Sequence, residues 1–150
     1  MRFLGNIEAK TDQKGRVFLP SVFRKELQAS GNERIVMRKD INSQCLTLYP
    51  ESAWNERMDA LFERADEWDA EEREVTRMFM QDVEVLTLDG NGRFLIPRRY
   101  MELADIKQCV FFMGMKDTIE IWAAEHVNKR LLNQEDFAAK LKAIMNRKKE

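Results

Sequence analysis

One motif occurs twice in this chain: Asp12-Gln-Lys14-Gly15-Arg16 and Asp89-Gly-Asn91-Gly92-Arg93 each run into three apolar residues and a proline. An arginine there offers a planar guanidinium that can pair with the O6/N7 edge of guanine or clamp a phosphate. The residues around it hold it in place. An Asp that opens a tight turn accepts backbone N–H groups ahead of it, and Gly reaches a positive φ that side chains make costly. Asp12, Gly15, Asp89 and Gly92 are therefore read as turn-structural, with Lys14, Arg16 and Arg93 projecting from a rigid base that loses little entropy on binding. A structural use is open too, in which each Asp pairs with its own Arg and closes the hairpin.

Each motif needs strands and helices to present it. The spacing predicts a hairpin turn, a short buried strand and then a helix start at Pro20 and at Pro97. Segments 3–10 and 82–88, before the turns, alternate apolar and polar residues as half-buried strands do. Strand pairs follow at 34–40 with 44–49 and at 109–117 with 118–122, both turning at a Lys-Asp, and each pair runs into a helix. Hairpins this small do not close a core alone. The eight strands are expected to interlock into one barrel-like sheet with helices outside.

The chain divides into a first repeat over 1–53, a helical connector over 54–80, a second repeat over 81–124 and a C-terminal helix over 125–150. The connector places Trp54, Met58, Leu61, Phe62, Ala65 and Trp68 at helical spacing, with Val75, Met78 and Phe79 after an acidic run. The last segment does the same with Val127, Leu131, Leu132, Phe137, Leu141 and Ile144. Together they carry more apolar surface than a small barrel must cover, so part of it is expected to form a subunit interface.

Composition narrows the function. With 150 residues and 44% hydrophobic content, the chain suits one domain or two half-size repeats sharing a core. Its apolar runs fall far short of the roughly 18 residues that span a membrane, the N-terminus has no apolar signal core, and the cytoplasm is the default location. Cys45 and Cys109 sit in apolar strand patterns, where cysteine acts as a small hydrophobe, and with His126 they lack the paired spacing of zinc sites. No phosphate loop or nucleophile elbow is present, and Ser21 after Pro20 reads as a helix-start residue. An enzyme is not expected, and no cofactor is called for.

A net charge of −1 looks unfavourable for nucleic acid, but the charge is segregated. Residues 10–25 hold five cations and one acid, a local +4, whereas 51–74 hold ten acids and three cations, a local −7. One cationic face is therefore expected around the hairpin tip. The run Lys140, Lys142, Arg147, Lys148, Lys149 reads first as a frayed, soluble end, with a non-specific electrostatic contact as the alternative.

The Met1-Arg2-Phe3-Leu4-Gly5 start, the Asp12-x-Lys14-Gly15-Arg16 turn, the Pro20-x-x-Phe23-Arg24 continuation and the Asp89-x-x-Gly92-Arg93 turn resemble the bacterial MraZ family of the AbrB/SpoVT-like superfamily. The resemblance implies an α+β fold in which two tandem β-hairpin/helix repeats interlock into an AbrB-like swapped-hairpin barrel with outer helices. It also implies a nucleoid-associated regulator, assembled into a ring, that binds double-stranded DNA at short promoter direct repeats upstream of the division and cell-wall gene cluster. Lys14, Arg16, Arg24, Arg93, Arg98 and Arg99 are then the DNA-binding candidates. The second turn has Asn91 where the first has Lys14, and Met101 matches Arg24, which predicts a weaker contribution from the second copy. The alternative is an antitoxin-like or other protein-binding module of the same fold.

Overall fold

In the computed structural model, which describes residues 1–31 and 34–148, the strands are β1 (Asn6–Lys10), β2 (Arg16–Phe18), β3 (Ile35–Lys39), β4 (Leu46–Pro50), β5 (Val83–Leu86), β6 (Arg93–Leu95), β7 (Cys109–Met115) and β8 (Thr118–Ala123). The helices are α1 (Ser21–Ala29), α2 (Glu51–Arg64), α3 (Ala70–Met80), α4 (Arg98–Leu103) and α5 (Gln134–Met145). The architecture is α+β, with every strand pair antiparallel.

The two repeats exchange their first strands. Six strands form one sheet in the order β1-β7-β8-β4-β3-β5, so β1 of the first repeat lies on β7 of the second, and β5 lies on β3 of the first. The order reads the same when each strand is replaced by its counterpart, as a local twofold requires. Its centre falls where Thr47 pairs with Glu120 in the sheet and where Val17 pairs with Phe94 in a separate β2–β6 ribbon.

The core fills the space between ribbon and sheet. Val17, Leu19, Phe94 and Ile96 from the ribbon side bury against Met37, Leu46, Leu48, Val110, Phe112 and Ile121 from the sheet. Phe94 meets Phe112 edge-on at 6.4 Å, and Phe3 meets Phe23 at 5.9 Å. At the sheet edge Phe3 bridges Lys116, and Gly114 is needed because a Cβ there would stand 2.6 Å from the Phe3 carbonyl.

The connector is two helices rather than one. It breaks after Arg64, and α3 restarts where Asp69 accepts the Glu72 N–H as an N-cap. Trp54 stacks on Phe79 at 5.2 Å and so holds α2 to α3. Arg38, 8% exposed, donates to the Phe79 and Met78 carbonyls and thereby satisfies the last turn of α3. Arg57 forks onto Asp117 at 2.9 and 3.0 Å and ties α2 to the β7–β8 turn.

Two local expectations are corrected. The C-terminal helix does not begin at 125: residues 124–126 form a single 3-10 turn, Leu131 is fully exposed, and α5 starts only where the Asn133 side chain accepts the Asp136 N–H. The two Lys-Asp turns also differ. Lys116-Asp117 is a two-residue link with Lys116 at φ 70°, whereas Lys39-Asp40 opens a longer loop that Asp40 organises by accepting the Asn42 and Ser43 N–H groups.

Candidate nucleic-acid interface

The two turns are conformational copies. Asp12 Oδ1 accepts the Lys14 and Arg16 N–H groups at 2.9 Å, and Asp89 Oδ1 accepts those of Asn91 and Arg93 at 2.9 Å. The second oxygen takes the Nε of the arginine, at 2.7 Å for Arg16 and 2.9 Å for Arg93. The expected structural Asp–Arg pairing is thus present, and it aims the arginine without using it up. Among the described residues, neither Nη of Arg16 or Arg93 has a protein acceptor, so the end of each guanidinium is open.

Electrostatics agree with this division of labour. The Arg16 backbone N–H, helped by the Arg16 side chain and the Lys14 N–H, holds the Asp12 carboxyl below the usual carboxylate range. The Arg93 and Asn91 N–H groups and the Arg93 side chain do the same for Asp89. Gly15 has φ 90°, and a Cβ there would stand 2.7 Å from the Ile96 carbonyl, so close approach as well as conformation selects glycine.

Register decides what the ribbon shows. Arg16 pairs with Leu95 and Phe18 with Arg93, so these four side chains share one face while Val17 and Phe94 enter the core. The motif strands were expected to be buried, yet Phe18 is 56% and Leu95 47% exposed. The Arg93 guanidinium lies 5.8 Å from the Phe18 ring. The outer face is therefore two arginines on one diagonal and two apolar side chains on the other. Phe18 and Leu95 were missed as surface residues because three apolar residues follow each Arg, although the two-residue period of a strand counted from an outward Arg places them outward.

The exchange moves cations between turns. Backbone bonds run from Leu19 N–H to Gly92 O at 3.0 Å and from Ile96 N–H to Gly15 O at 2.9 Å, which sets each helix start against the opposite turn. Arg24 therefore lies over Gly92 and donates to the Leu19 carbonyl at 3.3 Å, while its counterpart Met101 packs on Gly15. Arg98 lines the recess beside the first turn with Lys14 and Lys107. Arg24, counted by position with the first copy, belongs spatially to the second. Arg99 instead pairs with Asp82 and leans on Tyr100.

The remaining candidates lie elsewhere. His126 Nε2 meets Asp105 at 2.7 Å, and Cys109 is the first residue of β7. Asp40, Cys45 and Glu120 place one ligand atom each within 4.8 Å of one another. Those groups are already engaged: Asp40 holds its own loop, Glu120 accepts the Trp122 Nε1–H at 2.9 Å, and burial pushes the Cys45 thiol well above its ordinary pKa.

The chain is a duplicated, strand-exchanged module that presents two arginine-tipped turns on one ribbon. The sequence model of the family described as "MraZ protein, putative antitoxin-like" matches it twice, over residues 2–78 and 78–148. The chain belongs to the MraZ family. It is 56% identical over 145 residues to the transcriptional regulator MraZ of Phocaeicola vulgatus, covering 97% of this chain and 94% of the relative. The protein of that name from Bacteroides thetaiotaomicron is 49% identical over 97% of this chain and 94% of the relative, and that from Shewanella oneidensis 33% over 80% and 78%. These relatives support a role in transcription regulation rather than catalysis.

Proposed function

We propose that the protein is a sequence-specific regulator that inserts the outer face of the β2–β6 ribbon into the major groove of double-stranded DNA. The observation that carries this is the pair of arginines held at Nε by their own turn aspartates with both Nη ends open. The major groove admits a two-stranded ribbon, and bidentate Arg to guanine is its commonest specific contact. Diagonal neighbours on such a ribbon are about 7–8 Å apart, near the height of two base-pair steps at about 3.4 Å each. Phe18 and Leu95 would meet thymine methyls, and Lys14, Arg24 and Arg98 would meet the flanking phosphates.

The target is promoter direct repeats ahead of the division and cell-wall gene cluster, bound by a homo-oligomeric ring in the nucleoid of the cytoplasm. A ring answers the −1 net charge, because identical tips held in register raise the effective concentration of each later contact. Among the described residues no helix is long and apolar enough to cross a membrane.

The experiment is a mobility shift on the DNA upstream of the protein's own gene at two salt concentrations. Arg16→Ala should weaken specific binding by roughly tenfold to a hundredfold, the worth of one bidentate contact, with oligomer size unchanged. Arg93→Ala should cost less, since Arg93 is 26% exposed against 39% for Arg16 and rests on Phe18. Equal losses would overturn the asymmetry, and salt-insensitive binding would overturn the phosphate contacts.

A further inference from the structure

Among the described residues, α5 is the only α-helix that buries no side chain. It nevertheless carries an apolar stripe of Phe137, Leu141 and Ile144, each about half exposed, about 11 Å long at 1.5 Å per residue. Lys140 borders that stripe on the helical wheel, with Lys142 further round the other side of the helix. A second unpartnered apolar surface lies elsewhere on the molecule. It is a groove of about 570 Å³ between α2, α3 and the loop after β3, lined by Ile41, Leu61, Val75, Met78 and Phe79. Val75 and Met78 are 55% and 58% exposed, and on the helical wheel of α3 Glu71 and Glu74 sit beside them.

The two surfaces are complementary in both respects. One is an apolar ridge bordered by Lys140, on a segment that continues into Arg147 and Lys148. The other is an apolar groove whose charged lining is Arg38, Lys39, Asp40 and Asp82; Arg38 and Lys39 are turned onto backbone carbonyls, and Glu71 and Glu74 of α3 sit beside its apolar wall. We infer that α5 of one copy docks into the α2–α3 groove of a second copy. Ridge and groove are different patches, so the contact is heterologous and propagates head to tail, closing into a ring when the rotation closes. Opposite charges on the rims set the orientation and speed the encounter. The inference rests on the assembly half of the proposed function and gives that assembly its contact.

Sedimentation velocity without DNA tests it. The wild-type chain of 17.8 kDa should sediment as an oligomer, and Leu141→Asp and Val75→Asp should each sediment as monomers with unchanged circular dichroism. Mixing the two variants should give dimers and nothing larger, because a mixed pair has one intact ridge and one intact groove and can make a single junction. A charge-reversed set supplies a second arm at positions that bear no packing load. Lys140→Glu with Lys142→Glu should shrink the oligomer, and adding Glu71→Lys with Glu74→Lys should restore it. A monomeric wild type, a folded Leu141→Asp variant of wild-type size, a mixture that stays monomeric, or a charge swap that restores nothing would each overturn the inference. Loss of DNA binding by Arg16→Ala is read in a different assay, so failure of one proposal does not mimic failure of the other.

Discussion

At the scale of single residues, the aspartates matter as much as the arginines they hold. Asp12 and Asp89 lie below the usual carboxylate range because backbone N–H groups of their own turns bind the ionised form, and Asp117 is lowered in the same sense by Arg57. A carboxyl whose pKa falls on folding adds stability that is complete above its unfolded value and is lost as pH drops through the folded one. Thermal melting should therefore be insensitive to pH from 7 to about 5 and should fall once pH passes below about 3.9, the unfolded aspartate value. Asp12→Asn should remove part of that acid sensitivity, and an unchanged profile would show that the turn bonds do not couple to folding.

Among the elements, α3 depends on a strand residue. Arg38 follows three apolar residues in β3 and is itself buried, and its guanidinium reaches the Met78 and Phe79 carbonyls and lies 5.1 Å from the Phe79 ring. Arg38→Met keeps an unbranched stem and removes the donors. It should cost about 1–3 kcal/mol, the worth of hydrogen bonds from a charged donor, in urea unfolding. Hydrogen exchange should then speed up in the last turn of α3 while the β2–β6 ribbon stays protected. Uniform acceleration throughout the chain would assign Arg38 to the core rather than to the helix end.

For the whole molecule, strand exchange makes the halves inseparable. Among the described residues β1 has its sheet partner only in β7, and β5 only in β3. The core draws on both repeats, with Phe3, Val17 and Phe23 from one and Phe94, Phe112 and Ile121 from the other. Residues 1–80 or 81–150 expressed alone should show no cooperative unfolding as monomers, and mixing the two should restore a transition. A folded, monomeric half would mean that each repeat can close on its own first strand. The exchange also places both turns at the ends of one ribbon, so a lost half removes half of the proposed recognition face.

Much of this was legible in the residues because the signals are local. Asp, Gly and Arg at fixed spacing specify a turn through bonds within five residues, and alternation marks strands near their true positions, as at 3–10 against Asn6–Lys10 and 82–88 against Val83–Leu86. The helix starts after Pro20, Pro50 and Pro97 follow from the fixed φ of proline in the same way. What only the tertiary structure decided is partnership across distance. Met101 rather than Arg24 covers the first turn, Phe18 and Leu95 face outward, Arg38 closes a helix some forty residues away, and α5 begins at Gln134 and stands clear of the core. Local spacing determines the conformation of a segment, but which face is buried depends on the strand or helix that comes to lie against it. In an exchanged repeat that partner belongs to the other half of the chain.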